Sequence, residues 1–418
     1  MWSIMTQMFK QSQAFMPLTV MQFAGEGIWG NIVWFLLFMV FIFFYPRLMI
    51  AQMLWRLEQT AELIEGWSAK AKGIVTKRIS RRPDRKLKQA VANFTEFFMI
   101  QPVSLDPYGI IKKLEHVVNL SEQRFEWFVD NVAPKLDSET KANIRMGLSG
   151  AISLNQVAKL VRHFVELIRK TKNLQLALVL QMQLPLIERI SKALLYGTEA
   201  LTNGWPIGDS IGSLIAARMI GTSKVKQIEK DTVLAKKHIS GRDVLILKAK
   251  GPGGRVGKLG PAVEKLVKKH KIVKIITIDA AAKLEGEKTG SVAEGVGVAM
   301  GGIGVDRAYI ENIAVKRRIP LDSVVIKMSQ EEAIQPMAPE TLAAADRVIR
   351  IVEKNIANTR AKGLILVVGV GNSCGVGNDA AAAEKAERLA KKVMRIVKAR
   401  KEKEKRRRLS WLWGGYSI

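Results

Sequence analysis

The sequence predicts an α/β C-terminal domain, a three-layer α/β/α arrangement with a parallel or mixed sheet, preceded by a transmembrane helix, a helical stem and an α-helical domain. Residues 28–45 form an uncharged apolar run, and helical periodicity then extends to about residue 240. From residue 242, short apolar strands alternate with helices, which is typical of a mostly parallel sheet covered on both faces. The expected parts are an extracytoplasmic N-terminus (1–27), the transmembrane helix (28–50), a basic helical stem (51–82), the α-helical domain (84–240), the α/β domain (242–400) and a basic aromatic tail (401–418).

The composition favours acidic partners. The chain has 418 residues and a net charge of +28, from 66 lysines and arginines against 38 acidic residues. Such an excess favours anionic lipid, nucleic acid or phosphorylated ligands. The single cysteine, Cys374, excludes an internal disulfide and a multi-cysteine zinc site. The sequence identifies no cofactor, and no metal site is expected.

The apolar run predicts a single crossing of the cell membrane. It contains 18 uncharged residues and reaches Ile50 past Pro46 and Arg47, long enough to span a bilayer. Residues 1–27 carry one basic residue, whereas residues 70–88 carry nine basic residues against one acid. The positive-inside rule therefore predicts the N-terminus outside and the C-terminal domains in the cytoplasm.

The stem that follows has two interpretations. Its apolar positions recur in steps of three and four residues, either as the seam of a parallel homo-oligomer or as a helix packed on another part of the same chain. The basic run at its end, which includes Arg78, Arg81 and Arg82, is expected to attract anionic headgroups, at about 1 kcal/mol per basic residue near the surface. Farther along, the glycine-punctuated segment 204–221 is expected to bring elements into close contact.

Four strands are predicted in the α/β domain, at 244–249, 272–278, 323–328 and 364–370, with helices at 261–270, 339–358 and 380–398. The glycine-rich loops 251–260 and 369–379 each lead into a helix N-terminus, where free N–H groups favour anions. Neither loop has the Gly-Lys-Ser/Thr of a Walker motif. The glycines either serve tight turns or hold a small anionic ligand. The ligand-binding candidates are Gly251, Gly253, Gly254, Thr289, Gly290, Gly295, Gly297, Asn372 and Asp379.

The centre of this domain is the stretch 275–304. A buried strand is expected to end on Asp279, and a charged and then glycine-rich loop follows it. Open α/β sheets bind ligands at the carboxyl ends of their strands. Asp279 is therefore the candidate catalytic residue, as a base or water-positioning group, with Lys283 and Lys288 as its electrostatic partners.

Several short motifs resemble the phosphorylase-like fold of hydrogenase maturation proteases and spore germination proteases. They are the Gly251-Pro-Gly-Gly254 loop with Leu259-Gly260-Pro261, the Ile278-Asp279-Ala280 strand end, Thr289-Gly290 and Gly295-Val296-Gly297. The resemblance covers residues 242–335 and implies that Asp279 is a metal ligand or a catalytic aspartate. Gly257 and Lys258 stand where the partner acid of those proteins is expected. The whole chain also resembles an archaeal membrane-anchored protein family of unknown function.

Three functions are consistent with these features. The first is the binding of a small anionic ligand in an oligomeric assembly, and the second is a membrane-tethered, peptidase-like hydrolase that uses Asp279. The third is a membrane scaffold that docks ribosomes or nucleic acid through its basic segments. In the basic tail, Trp411 and Trp413 suit a segment that lies on the bilayer interface better than one that binds nucleic acid.

Overall fold

The computed structural model describes residues 28–103 and 109–413. The predicted extracytoplasmic N-terminus lies outside the described residues. The described residues form two compact units. The first contains residues 28–61 and 161–184, and the second contains residues 62–103, 109–160 and 185–413.

In the described part of the N-terminal half the structure is helical, with α1 (Ile28–Ile79), α2 (Arg85–Phe94), α3 (Ile110–Val132), α4 (Ser138–Thr171) and α5 (Leu174–Asn203). The predicted transmembrane and stem segments are one continuous helix of 52 residues. By length and composition, α1 is the one helix among the described residues that could cross a membrane. Pro46 does not interrupt it.

The seam of the stem is covered by the chain itself. Its apolar positions Leu57, Ala61, Ile64, Ala71 and Val75 are fully buried within the single chain. In the second unit, the Ser68 hydroxyl donates a hydrogen bond to Asn155 Oδ1 of α4 at 3.2 Å. This burial agrees with intramolecular helix packing, the second interpretation of the stem.

The second half of the chain is a mixed seven-stranded sheet between two helical layers. Its elements are α6 (Ile211–Ile220), β1 (Val225–Glu229), β2 (Thr232–Ile239), β3 (Arg242–Ala249), α7 (Leu259–Lys269), β4 (Ile272–Ala282), β5 (Val292–Val296), α8 (Val305–Arg317), β6 (Leu321–Met328), α9 (Gln330–Ile334), α10 (Pro339–Ala343), α11 (Ala345–Ala357), β7 (Leu364–Gly369) and α12 (Ala380–Trp413). The strand order is β1-β2-β3-β7-β4-β6-β5, in which β3, β7, β4 and β6 are parallel.

Each face of the sheet has its own apolar core. Helices α6, α11 and α12 cover the face that carries Ile246, Ile276 and Val367. Helices α7 and α8 cover the face that carries Leu247 and Leu366. The alternation of buried residues between the two faces follows from the two-residue period of a strand. The predicted α/β/α domain after a helical region is therefore confirmed.

Three details differ from the sequence prediction. Strands β1 and β2 lie in residues 225–239, within the segment 84–240 that was predicted to be helical. They join through a tight turn with Asp231 at φ 54°. Strand β5 pairs antiparallel with β6 at the sheet edge, inside the glycine-rich stretch. The helix predicted at 339–358 is divided into α10 and α11.

Lys248 of β3 is completely buried beneath the start of α12. Its Nζ donates hydrogen bonds to Ala249 O at 2.7 Å, Gly377 O at 3.1 Å and Asn378 Oδ1 at 3.2 Å. Burial lowers the pKa of this lysine from 10.5 to about 7, because a desolvated ammonium is disfavoured. The side chain therefore joins β3 to the loop that follows β7.

We expect Lys248 to make stability depend on pH between about 7 and 10.5. In this window the unfolded chain binds the lysine proton and the folded chain has released it, so the free energy of unfolding rises with pH by up to about 1.4 kcal/mol per unit. Denaturant unfolding of the detergent-solubilised protein measures this slope. Lys248→Met should remove the contribution, and an unchanged slope in that variant would contradict the assignment.

Candidate functional site

Helix α6 packs unusually close to the carboxyl ends of β4 and β7. A Cβ atom on Gly212 would lie 2.2 Å from Val370 O and 2.4 Å from Ile278 O, so only glycine fits there. The Ser213 hydroxyl adds a hydrogen bond to Gly371 O at 3.2 Å. This contact places the turn before α6 at the strand ends, where open α/β sheets bind ligands.

That turn, Gly208–Ser210, carries Asp209. The Asp209 Oδ2 atom accepts a hydrogen bond from the backbone N–H of Asn372 at 2.8 Å. The residue keeps a part-exposed surface, although its carboxyl group lies deep among protein atoms. Burial raises the pKa of Asp209, and the Asn372 amide opposes this effect. The Asp209 carboxyl group is therefore largely desolvated and is held by the backbone of Asn372.

Asp279 is 3% exposed and lies within β4, three residues before the strand ends at Ala282. Its Oδ1 accepts a hydrogen bond from Ala280 N at 2.7 Å. Burial raises its pKa well above 3.8, and the negative charge of Asp209 raises it further. Backbone N–H groups of Ala280 and Gly301 act in the opposite direction.

Asp209 and Asp279 thus form a pair of enclosed carboxyl groups whose charges interact. Two like charges in one low-dielectric site do not both ionise readily, so their pKa values are pushed apart. Such a pair can supply a general base and a general acid at the same pH. The second acid of this pair, Asp209, lies outside residues 242–335, within which the resemblance expects the partner acid at Gly257 and Lys258.

Gly301 connects Asp279 with an open cavity. Its N–H faces the Asp279 carboxylate, and the residue lines a cavity of about 230 Å³ beside α3 and the N-terminus of α8. Cβ atoms built on five glycines of this region would meet nothing within 4 Å, namely Gly295, Gly297, Gly301, Gly302 and Gly304. A substrate could therefore approach the backbone closely here.

The first glycine loop has a different role. Its amides already bind protein oxygens, because Gly251 N donates to Asn378 Oδ1, Gly253 N to Glu139 Oε2 and Gly254 N to Asn143 Oδ1, over 2.5–2.9 Å. Arg255, 6% exposed, forms a bidentate ion pair with the same Glu139 carboxylate. The loop therefore attaches the α/β sheet to the start of α4.

Of the remaining ligand-binding candidates, Asn372 lies beside the Asp209–Asp279 pair and Asp379 lies elsewhere. Asn372 lies at the pair, since its backbone N–H binds Asp209 and its Oδ1 accepts from Cys374 N at 2.8 Å. Asp379 caps α12 by accepting from Ala382 N at 2.8 Å. Asn372 therefore lies beside Asp209, whereas Asp379 caps the helix that follows.

Lys283, Lys288, Thr289 and Gly290 form a separate corner beyond the end of β4. Lys283 Nζ donates to Thr289 Oγ1 at 3.0 Å, the Gly290 amide binds Lys327 O at 2.8 Å, and the Lys288 carbonyl accepts from Ser291 Oγ at 2.6 Å. Lys283 lies four residues after Asp279, about 13 Å along the extended chain. The structure does not bring the predicted lysine partners to the Asp279 carboxylate.

The predicted membrane-surface residues lie at the ends of two long helices. Arg78 is in the last turn of α1, 28 residues or about 42 Å along the helix axis from Ile50, and Arg81 and Arg82 follow it in an exposed loop. Trp411 and Trp413 belong to the backbone of α12, and their side chains lie outside the described part of the chain. Within residues 28–103 and 109–413, no group of three His, Cys, Asp or Glu side chains could hold a metal ion.

Comparison with protein families divides the chain just before Asp209. Residues 31–204 match a model described as protein of unknown function (DUF1512) N-terminal domain. Residues 207–377 match one described as domain of unknown function (DUF1512) C-terminal.

The chain belongs to the DUF1512 family. Asp209, Asp279 and Asn372 all fall in the part that matches the DUF1512 C-terminal model. The comparisons with curated proteins and with solved structures find no match. The resemblance to the phosphorylase-like fold therefore stays a prediction.

Sequence reasoning missed Asp209. Its signal is a single acid between glycines in the apolar segment 204–221, which contains one other charged residue, Arg218. A lone carboxylate in such a segment has few ways to stay solvated, and this indicates a buried site. The segment lies 70 residues from Asp279, so no local spacing connects the two acids.

We expect Asp279→Asn to stabilise the fold at neutral pH. Because the pKa of Asp279 is raised in the folded state, the folded protein loses stability as pH rises from about 3.8 to the folded-state pKa. The loss is about 1.4 kcal/mol per pKa unit. The amide can still accept from Ala280 N. Unfolding at pH 3 and pH 7 should show a gain for the variant only at the higher pH, and a loss at pH 7 would contradict the assignment.

Proposed function

We propose that this DUF1512 protein is a membrane-anchored hydrolase in which Asp209 and Asp279 act as a general acid–base pair. The observation that carries the proposal is the enclosure of two interacting carboxyl groups at the carboxyl ends of the central strands. Water addition to an ester or amide bond requires one group that takes a proton and one that gives it. The pair supplies both without a change of pH.

The different surroundings of the two carboxyl groups support different roles, with Asp209 as the base and Asp279 as the acid. Asp209 accepts the Asn372 N–H and its pKa is raised less than that of Asp279, so it ionises first and takes a proton from the attacking water. Burial and the charge of Asp209 together raise the pKa of Asp279 further, so Asp279 holds its proton and delivers it to the leaving group. The Gly301 amide then stabilises the Asp279 carboxylate that forms.

The binding of a small anionic ligand has less support. The amides of the first glycine loop are occupied by side chains of the protein. Three acids, Glu115, Glu122 and Asp306, line the cavity beside Gly301 together with one base, Lys258. A phosphate-like anion would meet repulsion there and at the Asp209–Asp279 pair, whereas a neutral ester or amide would not.

Membrane anchoring through α1 completes the proposal. The apolar part of α1 is exposed over residues 32–45, as a lipid-facing helix requires. The nine basic residues within 70–88 support a cytoplasmic position for the second unit, with the N-terminus outside.

We expect Asp209→Asn and Asp279→Asn each to lower hydrolysis about 10²–10⁴-fold, the usual contribution of a general acid or base. The reconstituted full chain would be screened against chromogenic esters, peptides and phosphate esters. The matched control is Asp243→Asn, because Asp243 is an exposed aspartate on β3 that pairs with Lys236. The wild-type pH profile should be bell-shaped, with its rising limb lost in Asp209→Asn. Equal activity of the two site variants and the control would exclude this mechanism.

We expect the full chain to remain in the membrane pellet under alkaline carbonate, and a deletion of residues 28–50 to release it. A tag fused before residue 1 should be removed by protease added outside intact spheroplasts. A tag after residue 418 should be protected. Extraction of the wild-type chain by carbonate would overturn the anchoring. The opposite protection pattern would overturn its direction.

A further inference from the structure

The first compact unit contains a helical hairpin beside the membrane-proximal part of α1. Helices α4 and α5 are joined by a short turn at residues 172–173, in which Lys172 has a φ of 52°. Glu58 of α1 accepts hydrogen bonds from both Arg162 and Arg169 of α4. These arginines are two helical turns apart, so Glu58 lies level with a point midway between them.

This pairing fixes the height of the turn along α1. Lys172 lies six to seven residues beyond the midpoint of Arg162 and Arg169. Since the hairpin folds back at that position, antiparallel packing places it level with Ala51, six to seven residues before Glu58. Ala51 directly follows the predicted transmembrane segment 28–50. The end of the hairpin therefore lies where α1 leaves the apolar layer.

The side chains at this level have the composition of a membrane interface. Lys170 and Lys172 are exposed at the turn, and Arg169 is about half-exposed. On α1, Trp55 is 63% exposed at the same level and Arg56 is exposed beside it. Tryptophan and basic residues concentrate at the headgroup layer. The two acids here, Glu58 and Glu166, are already paired with arginines.

Helix α5 adds an apolar surface next to this positive charge. Leu178 and Val179 are 37% and 56% exposed, one to two turns beyond the hairpin end. Basic residues beside exposed aliphatic residues are typical of helices that rest on a bilayer surface. Water hydrates the lysines but offers nothing to the aliphatic surface, whereas an anionic headgroup layer offers partners for both.

We propose that the α4–α5 turn contacts the bilayer that α1 spans, with Lys170 and Lys172 binding the phosphates of anionic phospholipid. The proposal rests on the proposed membrane span. It assigns the headgroup contact to the hairpin rather than to Arg78, Arg81 and Arg82, since about 42 Å of helix separates Arg78 from Ile50, well beyond the screening length of about 8 Å.

The test places a fluorophore on single introduced cysteines of the full chain in nanodiscs of phosphatidylglycerol. Native Cys374 is buried with its pKa raised to about 12, so it does not compete for the label. The reporter is Thr171→Cys at the turn, and the matched control is Gln183→Cys, exposed on α5 about 15 Å farther along the helix. Leu36→Cys reports on the span itself.

A nitroxide on the lipid headgroup should quench the label at position 171 several-fold more than the label at 183. Lys170→Gln with Lys172→Gln should lower the contact at 171 by about fivefold per lysine, toward the value in phosphatidylcholine discs. Equal quenching at 171 and 183 would overturn the proposal. So would a finding that, in detergent, a second copy of the chain shields the label at 171. If an acyl-chain nitroxide fails to quench position 36, the membrane span itself is absent.

Discussion

The close packing of Gly212 against the carbonyl oxygens of Ile278 and Val370 is the contact on which the candidate site depends. A side chain at this position would displace α6 from the ends of β4 and β7. The displacement would separate Asp209 from Asp279 and break the hydrogen bond between Asp209 and Asn372. One missing Cβ atom thus brings together two carboxyl groups that are distant in sequence. The electrostatic character of the site follows from that packing.

Most of the other glycines near the sheet act in a related way. Those of the first loop allow backbone amides to approach side chains of Asn378, Glu139 and Asn143, which attach the sheet to α4 and to the start of α12. Lys248 and Arg255 add buried side chains whose hydrogen bonds reinforce the same attachments. In contrast, the glycines between Gly295 and Gly304 contact no neighbouring atoms at their Cβ positions. Glycine therefore has two roles in this chain. In the first loop it lets backbone amides bind neighbouring side chains, and between Gly295 and Gly304 it leaves the backbone accessible.

The sequence was sufficient to predict the parallel strands, the helices between them and the apolar helix, because each produces a strong local period. It also identified Asp279, since an acid in a run of buried β-branched residues is conspicuous. It could not predict Asp209, because the contact depends on the tertiary packing of Gly212. Strands β1 and β2 were missed because their lysine-rich sequences follow a helical region and lack a clear two-residue alternation. The sequence also could not predict which helix covers the apolar seam of the stem, because a periodic pattern does not identify the helix that packs on it.

The position of Gly301 connects occupancy of the cavity with the acidity of Asp279. The same residue donates its N–H to the carboxylate and forms part of the cavity wall. A molecule that moves this loop outward removes a hydrogen bond that favours the ionised form, so Asp279 retains its proton more strongly while the cavity is filled. When the loop returns, the proton leaves more easily. The charge state of the site would thus follow the arrival and departure of its occupant.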